Sequence, residues 1–260
     1  MVGALALAIA ATVVPHVPAP ITATLICAEP GTARWYVLAS EAAVASERTR
    51  REHLVFGAVE AAVLVPVKSF HAAKRRLAGE LPADERERLA RWMAERVIAA
   101  AGALPVFVAC DDERVAEWAE SQGAYVSWGP GLGLNGSIDQ GVDMISGKGI
   151  DHVVVAHGDL PLPHAVPAVA RDGHVVIVPD RRRDGTNVLS RPTSLELRAE
   201  YGAGSFARHL ASALATGAPV TVRFDPHLAI DVDTIADCAH PEVAPLLRRA
   251  GFLADIGLRS

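Results

Sequence analysis

The chain has 260 residues, of which half are apolar and 21% are charged, and its net charge at pH 7 is −5. This composition excludes wholesale disorder and leaves room for one α/β domain or two small ones. The acidic balance argues against a nucleic-acid partner, which requires a basic surplus. Cys27, Cys110 and Cys238 are far apart and supply no disulfide framework, so a reducing cytoplasmic location is expected.

The first 58 residues differ in character from the rest of the chain. Their apolar start is similar to a signal peptide or a membrane span, but it lacks a basic region and is interrupted by Pro15, Pro18 and Pro20. We therefore predict that 1–58 is an appended segment, either poorly ordered or a mis-called start, and that 59–260 is the functional domain. A membrane-associating tail and an ordered amino-terminal element are the alternatives, and no stable membrane partner is expected.

From residue 59 onward, short apolar runs alternate with helical patterns. Strands rich in Val, Ile and Ala that alternate with helices predict a mostly parallel sheet that is buried on both faces. In such sheets the functional residues lie in loops at the carboxyl ends of strands, here expected at 68–76, 129–136, 157–161 and 184–187. The predicted strands are 61–67, 105–110, 123–126, 152–157, 174–178 and 220–224. The predicted helices are 84–101, 113–122, one opening from 129–136 and reaching 145, one after Gly204, and one near 241–250.

Carboxylates follow two of the extended segments. Asp159 ends a buried strand, and Asp231 and Asp233 lie on one face of an extended segment, because side chains alternate along it. Hard oxygen ligands of this kind suit Mg²⁺, which binds one or two carboxylates together with substrate phosphates. The alternative is a structural role, in which Asp233 or Thr234 caps the turn at 235–238.

Two further segments are candidates for binding anions. Lys68, Lys74, Arg75 and Arg76 form a basic loop after the first predicted strand of the domain, where cations can hold a triphosphate. Glycines at 202–206 lead into a helix whose free backbone N–H groups and serine hydroxyl can bind an anion. An ordinary solvated loop and a serine-capped helix are the respective alternatives.

The glycine-rich loop at 129–136 matches neither a Walker phosphate loop nor a dinucleotide-binding fingerprint. It is interpreted as a loop that closes over a ligand, with Asn135 offering donors and acceptors to a base or a ribose. His157 lies beside Asp159 and either contacts a phosphate or is a core-edge histidine. The spacing of Ser, His, Asp and Cys residues supports no activated nucleophile.

Taken in chain order, these motifs closely resemble the phospholactate and phosphoenolpyruvate guanylyltransferases of deazaflavin coenzyme F-420 biosynthesis. The resemblance extends from Val63 to Asp237, and the motifs are jointly specific although each is weak. The matching residues are Pro66-Val67-Lys68, Ala73-Lys74-Arg75-Arg76-Leu77, Leu134-Asn135, Asp159-Leu160-Pro161-Leu162, Pro179-Asp180, Gly185-Thr186-Asn187-Val188-Leu189, Tyr201-Gly202-x-Gly204-Ser205-Phe206-x-x-His209 and Asp231-Val232-Asp233-Thr234.

The resemblance implies a single-domain α/β nucleotidyltransferase, GT-A-like and Rossmann-like, with a mostly parallel mixed sheet flanked by helices. The implied reaction transfers GMP from GTP to phosphoenolpyruvate, releases pyrophosphate and gives enolpyruvyl-2-diphospho-5'-guanosine, which passes to a deazaflavin-precursor transferase. The Ala- and Arg-rich, Lys-poor composition is typical of a GC-rich genome and favours the bacterial branch of the family, hence phosphoenolpyruvate. The alternatives are 2-phospho-L-lactate or 3-phosphoglycerate as acceptor, a GT-A-type glycosyltransferase, and a non-catalytic nucleotide-binding module.

The resemblance also implies roles for individual residues. It implies that Asp159, Asp231 and Asp233 hold Mg²⁺ and form the catalytic set together with Lys68. The residues implied to bind GTP are Lys68, Lys74, Arg76 and Asn135.

Thr186, Gly202 and Ser205 are implied to contact the phosphoacid. Two departures from the family pattern remain. His157 and Gly158 stand before Asp159, where the family has small or apolar residues, and the segment 1–58 has no counterpart.

Overall fold

A computed structural model describes residues 24–27, 35–38, 60–164 and 166–252. Within the first 58 residues it describes two strands, β1 (Thr24–Cys27) and β2 (Trp35–Leu38), which pair antiparallel. Most of residues 1–58 lie outside these ranges, so it stays a prediction that this segment is appended or begins at a wrongly assigned start.

A seven-stranded sheet forms the centre of the described domain. Its order is β5-β4-β3-β6-β8-β7-β9, and β8 runs antiparallel to both of its neighbours, while the other adjacent pairs are parallel. The predicted mostly parallel mixed sheet is therefore confirmed. The strands are β3 (Ala61–Pro66), β4 (Val106–Cys110), β5 (Tyr125–Trp128), β6 (His152–Ala156), β7 (Val175–Pro179), β8 (Thr186–Pro192) and β9 (Val220–Val222).

Helices cover both faces of the sheet. They are α1 (Ala83–Ala100), α2 (Glu113–Ser121), α3 (Gly133–Gly147), α4 (Ser205–Ala215), α5 (Ile235–Cys238) and α6 (Ala244–Arg249), with 3₁₀ turns at Phe70–Ala72, Arg75–Leu77 and Val166–Val169. None of the described helices is long and apolar enough to cross a lipid bilayer.

The alternation of side chains along β3 divides the core into two layers. Val63 and Val65 pack with residues of α1 and α2, whereas Ala62 and Leu64 pack with residues of α3 and α4. Every one of these four side chains is buried, as expected for a central strand covered on both faces. A third apolar cluster joins α1 and α6 to the segment 230–232.

The structure corrects three of the predicted boundaries. The strand predicted at 123–126 is displaced to β5, because Gly123 has a φ of +76° and forms the left-handed turn that ends α2. The loop predicted at 129–136 ends earlier, since α3 begins at Gly133. The loop predicted at 184–187 gives way at Thr186 to the strand β8, which the sequence pattern did not predict.

Candidate active site

Several loops meet at one edge of the sheet. The parallel strands β3, β4 and β6 end there, and β8 begins there because it runs in the opposite direction. Three backbone contacts connect these loops: Val67 N–H donates to the Ala109 carbonyl, His157 N–H to that of Asn187, and Val232 N–H to that of Asp159. The last contact places the segment 230–234 directly beside the end of β6.

Lys74 joins the two carboxylate segments that the sequence pointed to. Its Nζ donates to Asp159 Oδ2 at 2.8 Å and to Asp233 Oδ1 at 3.0 Å. The Lys74 side chain is 7% exposed, against 27% for Asp159 and 40% for Asp233, so the ion pair lies at the floor of the site. Arg76, which is largely exposed, approaches Asp233 Oδ2 at 3.4 Å from the solvent side.

The segment 230–234 has the alternation that the sequence predicted. Ile230 and Val232 are buried in the third apolar cluster, and the half-buried Asp231 and Asp233 occupy the intervening positions. The Asp233 carboxylate does not cap α5. Thr234, the other predicted cap, is the N-cap of α5 and forms a capping box with Asp237, whose Oδ2 accepts from the Thr234 backbone N–H at 2.7 Å.

The charges of the cluster are coupled. Burial favours the neutral amine of Lys74, but Asp159 and Asp233 outweigh it and raise its pKa. Burial likewise favours protonated Asp159, yet the Lys74 ammonium holds the pKa of that carboxyl below its usual range. Asp231 has no such compensation: burial, followed by the charges of Asp159 and Asp233, raises its pKa to about 6.

Two observations show that this donor set fits a divalent cation. Asp159 Oδ1 is buried and has no hydrogen-bond partner within the described part of the chain. Asp231 lies close enough to Asp159 and Asp233 for their negative charges, after burial, to raise its pKa. Carboxylate oxygens that are incompletely paired suit Mg²⁺, so Asp159, Asp231 and Asp233 are candidate ligands for it.

The cations of the basic loop occupy different environments. Lys68 follows β3 and is exposed, as is Arg75, whereas Lys74 is directed into the carboxylates. Lys74 has a φ of 52°, a left-handed conformation that is uncommon for a residue other than glycine. The sequence predicted a shared phosphate-facing role for Lys68, Lys74 and Arg76, and this stays a prediction.

A buried hydrogen-bond network lies at the start of β8. Thr186 N–H donates to Ser205 Oγ at 3.0 Å, and the Thr186 Oγ1 lies 3.0 Å from His209 Nδ1. The other ring nitrogen, Nε2, accepts from Glu200 N–H at 3.0 Å, so Nδ1 carries the proton and donates to the threonine. The hydroxyl hydrogen of Thr186 therefore remains available to a ligand.

Burial lowers the pKa of His209 to about 4, so the ring is neutral and this proton arrangement is fixed at pH 7.

The turn before α4 already holds an anionic group. Gly202 and Gly204 have φ values of 123° and 70°, which glycine adopts without strain. Gly204 N–H donates to Asp184 Oδ2 at 3.1 Å, and Ser205 N–H donates to the Gly202 carbonyl at 3.0 Å. The turn can thus bind a carboxylate oxygen, here one of the chain's own.

Asn135 and His157 have structural roles that the sequence did not reveal. The Asn135 amide binds the backbone of Tyr201 at both ends, accepting at 2.8 Å and donating at 3.3 Å, so it fixes the loop before Gly202. Its predicted contact with the nucleoside stays a prediction. His157 packs against the Tyr201 ring at 4.8 Å, and burial lowers its pKa. Within the described residues its buried Nε2 has no hydrogen-bond partner.

A cleft of about 510 Å³ opens beside the basic loop. Its lining includes Ser69 and His71 from that loop, Asp111 after β4 and Trp128 at the end of β5. Trp128 is 41% exposed, which is unusual for so large an apolar side chain. The cleft therefore offers a planar aromatic surface next to an exposed carboxylate.

The sequence from residue 61 to 241 matches the family described as guanylyl transferase CofC like. The chain belongs to this family. It is a nucleotidyltransferase, which sets aside the glycosyltransferase and the non-catalytic alternatives.

Curated relatives of this guanylyltransferase carry two names. This chain is 34% identical over 184 residues to the phosphoenolpyruvate guanylyltransferase of Sphaerobacter thermophilus, and the alignment covers 67% of this chain and 88% of the relative. It is 36% identical to the enzyme of that name from Rubrobacter xylanophilus, over 70% and 93% of the two chains. The 2-phospho-L-lactate guanylyltransferase of Methanothermobacter thermautotrophicus is 32% identical, over 67% and 80%.

Solved structures confirm the fold of this guanylyltransferase. A nucleotidyl transferase from Methanothermobacter superposes with a TM-score of 0.51 at 17% identity, covering 73% of this chain and 98% of the other. A Desulfovibrio desulfuricans protein of the nucleotide-diphospho-sugar transferase type superposes with a TM-score of 0.57 at 16% identity, over 77% and 91%.

His209 is the main residue of this network whose role the sequence analysis missed. His209 is the last residue of the motif that begins at Tyr201, but the sequence alone indicated no role for it. The signal was its spacing: Ser205 and His209 are four residues apart, so a helix that begins at Ser205 places both on one face. In the structure both residues contact Thr186 from that face.

Proposed function

We propose that this guanylyltransferase transfers GMP from GTP to phosphoenolpyruvate. A phosphate oxygen of the acid attacks the α-phosphorus of GTP, the bond from that phosphorus to the bridging oxygen breaks, and pyrophosphate leaves. The observation that carries the proposal is the cluster of Asp159, Asp231 and Asp233 around Lys74, which lies at the same sheet edge as the Thr186 and Ser205 network. The names of the relatives in Sphaerobacter and Rubrobacter support this choice of acid.

We propose that Asp159, Asp231 and Asp233 hold Mg²⁺ when the substrates bind. Bound there, Mg²⁺ would neutralise phosphate charge and act as a Lewis acid at phosphoryl oxygens. The carboxylates would fix the position of the ion, and the buried Lys74 would keep Asp159 ionised. The cluster is suited to this role because Asp159 Oδ1 is buried without a hydrogen-bond partner in the described chain.

No general base is required, because the attacking phosphate oxygen is already ionised at pH 7. The obstacle is the repulsion between two anions and the charge that develops on the leaving pyrophosphate. Lys68 and Arg76, which are exposed at this edge, would lower that repulsion and hold the two substrates in line. The absence of an activated nucleophile from the sequence motifs is consistent with this chemistry.

The network around Thr186 is proposed to bind the phosphoacid. The Thr186 hydroxyl has its hydrogen free, and the turn at Gly202 to Ser205 already binds a carboxylate oxygen of Asp184. A small acid with both a carboxylate and a phosphate would replace that internal carboxylate. His209 would keep the hydroxyl correctly oriented as a neutral hydrogen-bond donor.

The cleft at Asp111 and Trp128 is proposed to hold the base of GTP. Trp128 offers a surface for stacking, and the exposed Asp111 carboxylate can accept from the N1–H and the 2-amino group of guanine. Adenine lacks both of these donors, so GTP is preferred over ATP. Asp111→Asn would reduce that preference, whereas an unchanged ratio of kcat/KM for GTP and ATP would contradict this assignment.

The compartment and the downstream step complete the proposal. Cys110 and Cys238 are buried free thiols, and burial raises the pKa of each to about 11, so both are unreactive. Free thiols support the proposed reducing cytoplasm, where the product would pass to a deazaflavin-precursor transferase.

The test is the release of pyrophosphate from GTP with each of three acids, phosphoenolpyruvate, 2-phospho-L-lactate and 3-phosphoglycerate. We expect the highest kcat/KM with phosphoenolpyruvate. Acids that differ by one small group are often separated by only about 1–3 kcal/mol, so the ratio must be measured under identical conditions. A value for 2-phospho-L-lactate tenfold above that for phosphoenolpyruvate would overturn the choice of acid and leave guanylyl transfer in place.

A further inference from the structure

We propose that His164, Asp225 and His227 form a zinc site that is separate from the aspartate cluster. One ligand atom from each residue lies within 4.8 Å of the other two. His227 Nδ1 is 3.3 Å from His164 Nε2, and Asp225 Oδ1 is 3.8 Å from the same His164 nitrogen. None of these residues has a role in the guanylyl transfer proposed above, and the inference does not depend on that function.

The hydrogen-bond partners of the two rings fix which nitrogens carry protons. His164 Nδ1 lies 3.2 Å from the Leu162 carbonyl, which can only accept, so this nitrogen is the protonated one. His227 Nε2 lies 3.0 Å from a carboxylate oxygen of Glu242 and is protonated for the same reason. In neutral rings the remaining nitrogens, His164 Nε2 and His227 Nδ1, present lone pairs to each other.

Two lone pairs at 3.3 Å repel each other unless a cation lies between them. Zinc bonds of about 2.0–2.1 Å in tetrahedral geometry place neighbouring ligand atoms about 3.3–3.4 Å apart, which matches the separation of the two nitrogens. A carboxylate or a carbonyl on the far ring nitrogen is also the usual outer contact of a metal-binding histidine. The carboxylate of Glu242 and the carbonyl of Leu162 supply these contacts.

Asp225 is held in place as the third ligand. Its Oδ1 accepts from the backbone N–H groups of His227 and Leu228, both at 3.1 Å, and Arg223 binds its Oδ2 at 2.8 Å. The two contacts to Oδ1 are long for hydrogen bonds to a charged acceptor, so this oxygen keeps negative charge for a cation. Two imidazoles with one carboxylate favour zinc over magnesium, which prefers oxygen ligands.

The site is accessible and joins two functional segments. Half of the His164 side chain is exposed, so a metal ion can enter and a water molecule can supply the fourth ligand. His164 follows the loop that carries Asp159, and His227 precedes the segment that carries Asp231 and Asp233. A zinc ion bound here would link the loop that carries Asp159 to the segment that carries Asp231 and Asp233, without contacting the aspartate cluster itself.

The experiment is a zinc titration of the metal-free full chain by equilibrium dialysis, with Mg²⁺ in excess to occupy sites made only of oxygen. We expect one zinc ion per chain in the wild type. His164→Gln and His227→Gln should each weaken binding at least about tenfold, and Glu242→Gln, which leaves the three ligand atoms intact, should weaken it about 10–100-fold.

His174→Gln is the matched control. His174 Nδ1 also contacts a carbonyl two residues earlier, that of Asp172, at 2.6 Å, but among the described residues it belongs to no cluster of three convergent ligand atoms. This variant should bind zinc like the wild type. Zinc should raise the melting temperature of the wild type and of His174→Gln but not that of the variants with weakened zinc binding.

Two results would overturn the proposal. A wild type that binds no zinc would show that the two rings share a proton instead. Equal zinc binding by the wild type and His164→Gln, with both folded by circular dichroism, would place the metal elsewhere.

Discussion

Lys74 occupies the centre of the carboxylate cluster, where its buried ammonium contacts Asp159 and Asp233. A surface ion pair contributes little to stability, but removal of one partner from a buried pair leaves an uncompensated charge. Asp231 lies in the same cluster, where burial, followed by the charges of Asp159 and Asp233, raises its pKa. The residues of the cluster are therefore expected to respond to substitution in opposite ways.

Asp159→Asn and Asp231→Asn should both reduce kcat by roughly 10²–10³-fold, because each removes an anionic oxygen from the proposed metal site. Their effects on stability should differ. Asp159→Asn removes the strongest partner of Lys74 and should lower the melting temperature, whereas Asp231→Asn relieves charge repulsion and should keep or raise it. Turnover measured beside thermal melts tests this, with the exposed Asp143→Asn as control. Retained turnover in both variants would contradict the metal-binding role.

His152 makes stability depend on pH. The ring is buried at the start of β6, 2.8 Å from Ser190 Oγ, and burial lowers its pKa from 6.5 to about 4. The unfolded chain thus binds a proton more readily than the folded chain between these values, so stability is lost as the pH falls through this window. For this group alone the loss between pH 7 and pH 5 is about 2 kcal/mol.

Urea unfolding at both pH values should show a smaller loss in His152→Gln than in the wild type. The control is the exposed His71→Gln, which should behave like the wild type. Equal pH dependence in all three proteins would show that His152 does not titrate on unfolding.

At the scale of elements, the packing of α3 on β3 depends on Gly141. A β-carbon at that position would lie 2.7 and 2.8 Å from the two terminal carbons of Leu64, which is buried. Gly147 ends the same helix and has no heavy atom within 4 Å of such a carbon. The two glycines therefore form a matched pair.

Gly141→Ala should lower the free energy of unfolding by about 1 kcal/mol, because overpacking costs about 1–3 kcal/mol and exceeds the helix preference of alanine. Gly147→Ala should raise it by up to about 1 kcal/mol. Urea unfolding of both variants measures the difference. A stabilised Gly141→Ala would mean that Leu64 moves aside at no cost.

The antiparallel strand β8 brings Thr186 to the same edge of the sheet as the aspartate cluster. Thr186→Val keeps the shape of the side chain and removes the hydroxyl, so the KM for the phosphoacid should rise about tenfold while the KM for GTP changes little. Thr221→Val on β9 is the control, since it makes the same change on another strand. An equal rise in both KM values would argue against a specific contact with the acid.

The sequence predicted β3, β4, β6 and β7 well because each is largely a continuous apolar run, whereas β5, which contains Ser127, lies two residues beyond its predicted position. It missed β8 because that strand carries Asn187, Ser190 and Arg191, which look like loop residues. Two of them are buried with partners far along the chain: Asn187 donates to the Leu228 carbonyl at 2.9 Å, and Ser190 Oγ lies 2.8 Å from His152 Nε2. Long-range partners of this kind also explain why the sequence did not show where Lys74 points.

At the scale of the whole molecule, the third apolar cluster holds the carboxyl-terminal part of the domain in place. Leu89 and Met93 of α1 pack with Ile230 and Val232, and Leu247 of α6 completes the contact. All five side chains are buried, so Asp231 and Asp233 stand on a rigid support although no strand carries them. Rigid support is what positions catalytic groups to within the tolerance that chemistry requires.

A protein of residues 59–260 should fold and keep full guanylyltransferase activity. The reason is that the family match begins at residue 61 and that all the site residues lie beyond it. Val59 would then correspond to an alternative start. Pyrophosphate release by the shortened and the full chains compares their activity, and intact-mass analysis of the native protein identifies the start. An insoluble or inactive short protein would show that residues 1–58 belong to the fold.

The placement of the aspartates on distant segments has a consequence for biosynthesis. Asp159 leaves the ribosome well before Asp233, and at about 5–20 residues per second the interval lasts several seconds. During that time the strands β3 to β6 are available to pair, and Lys74 has Asp159 as its partner but not yet Asp233. We expect the nascent chain to form its ion pair first, so that the proposed metal site is complete only after Asp233 has left the ribosome.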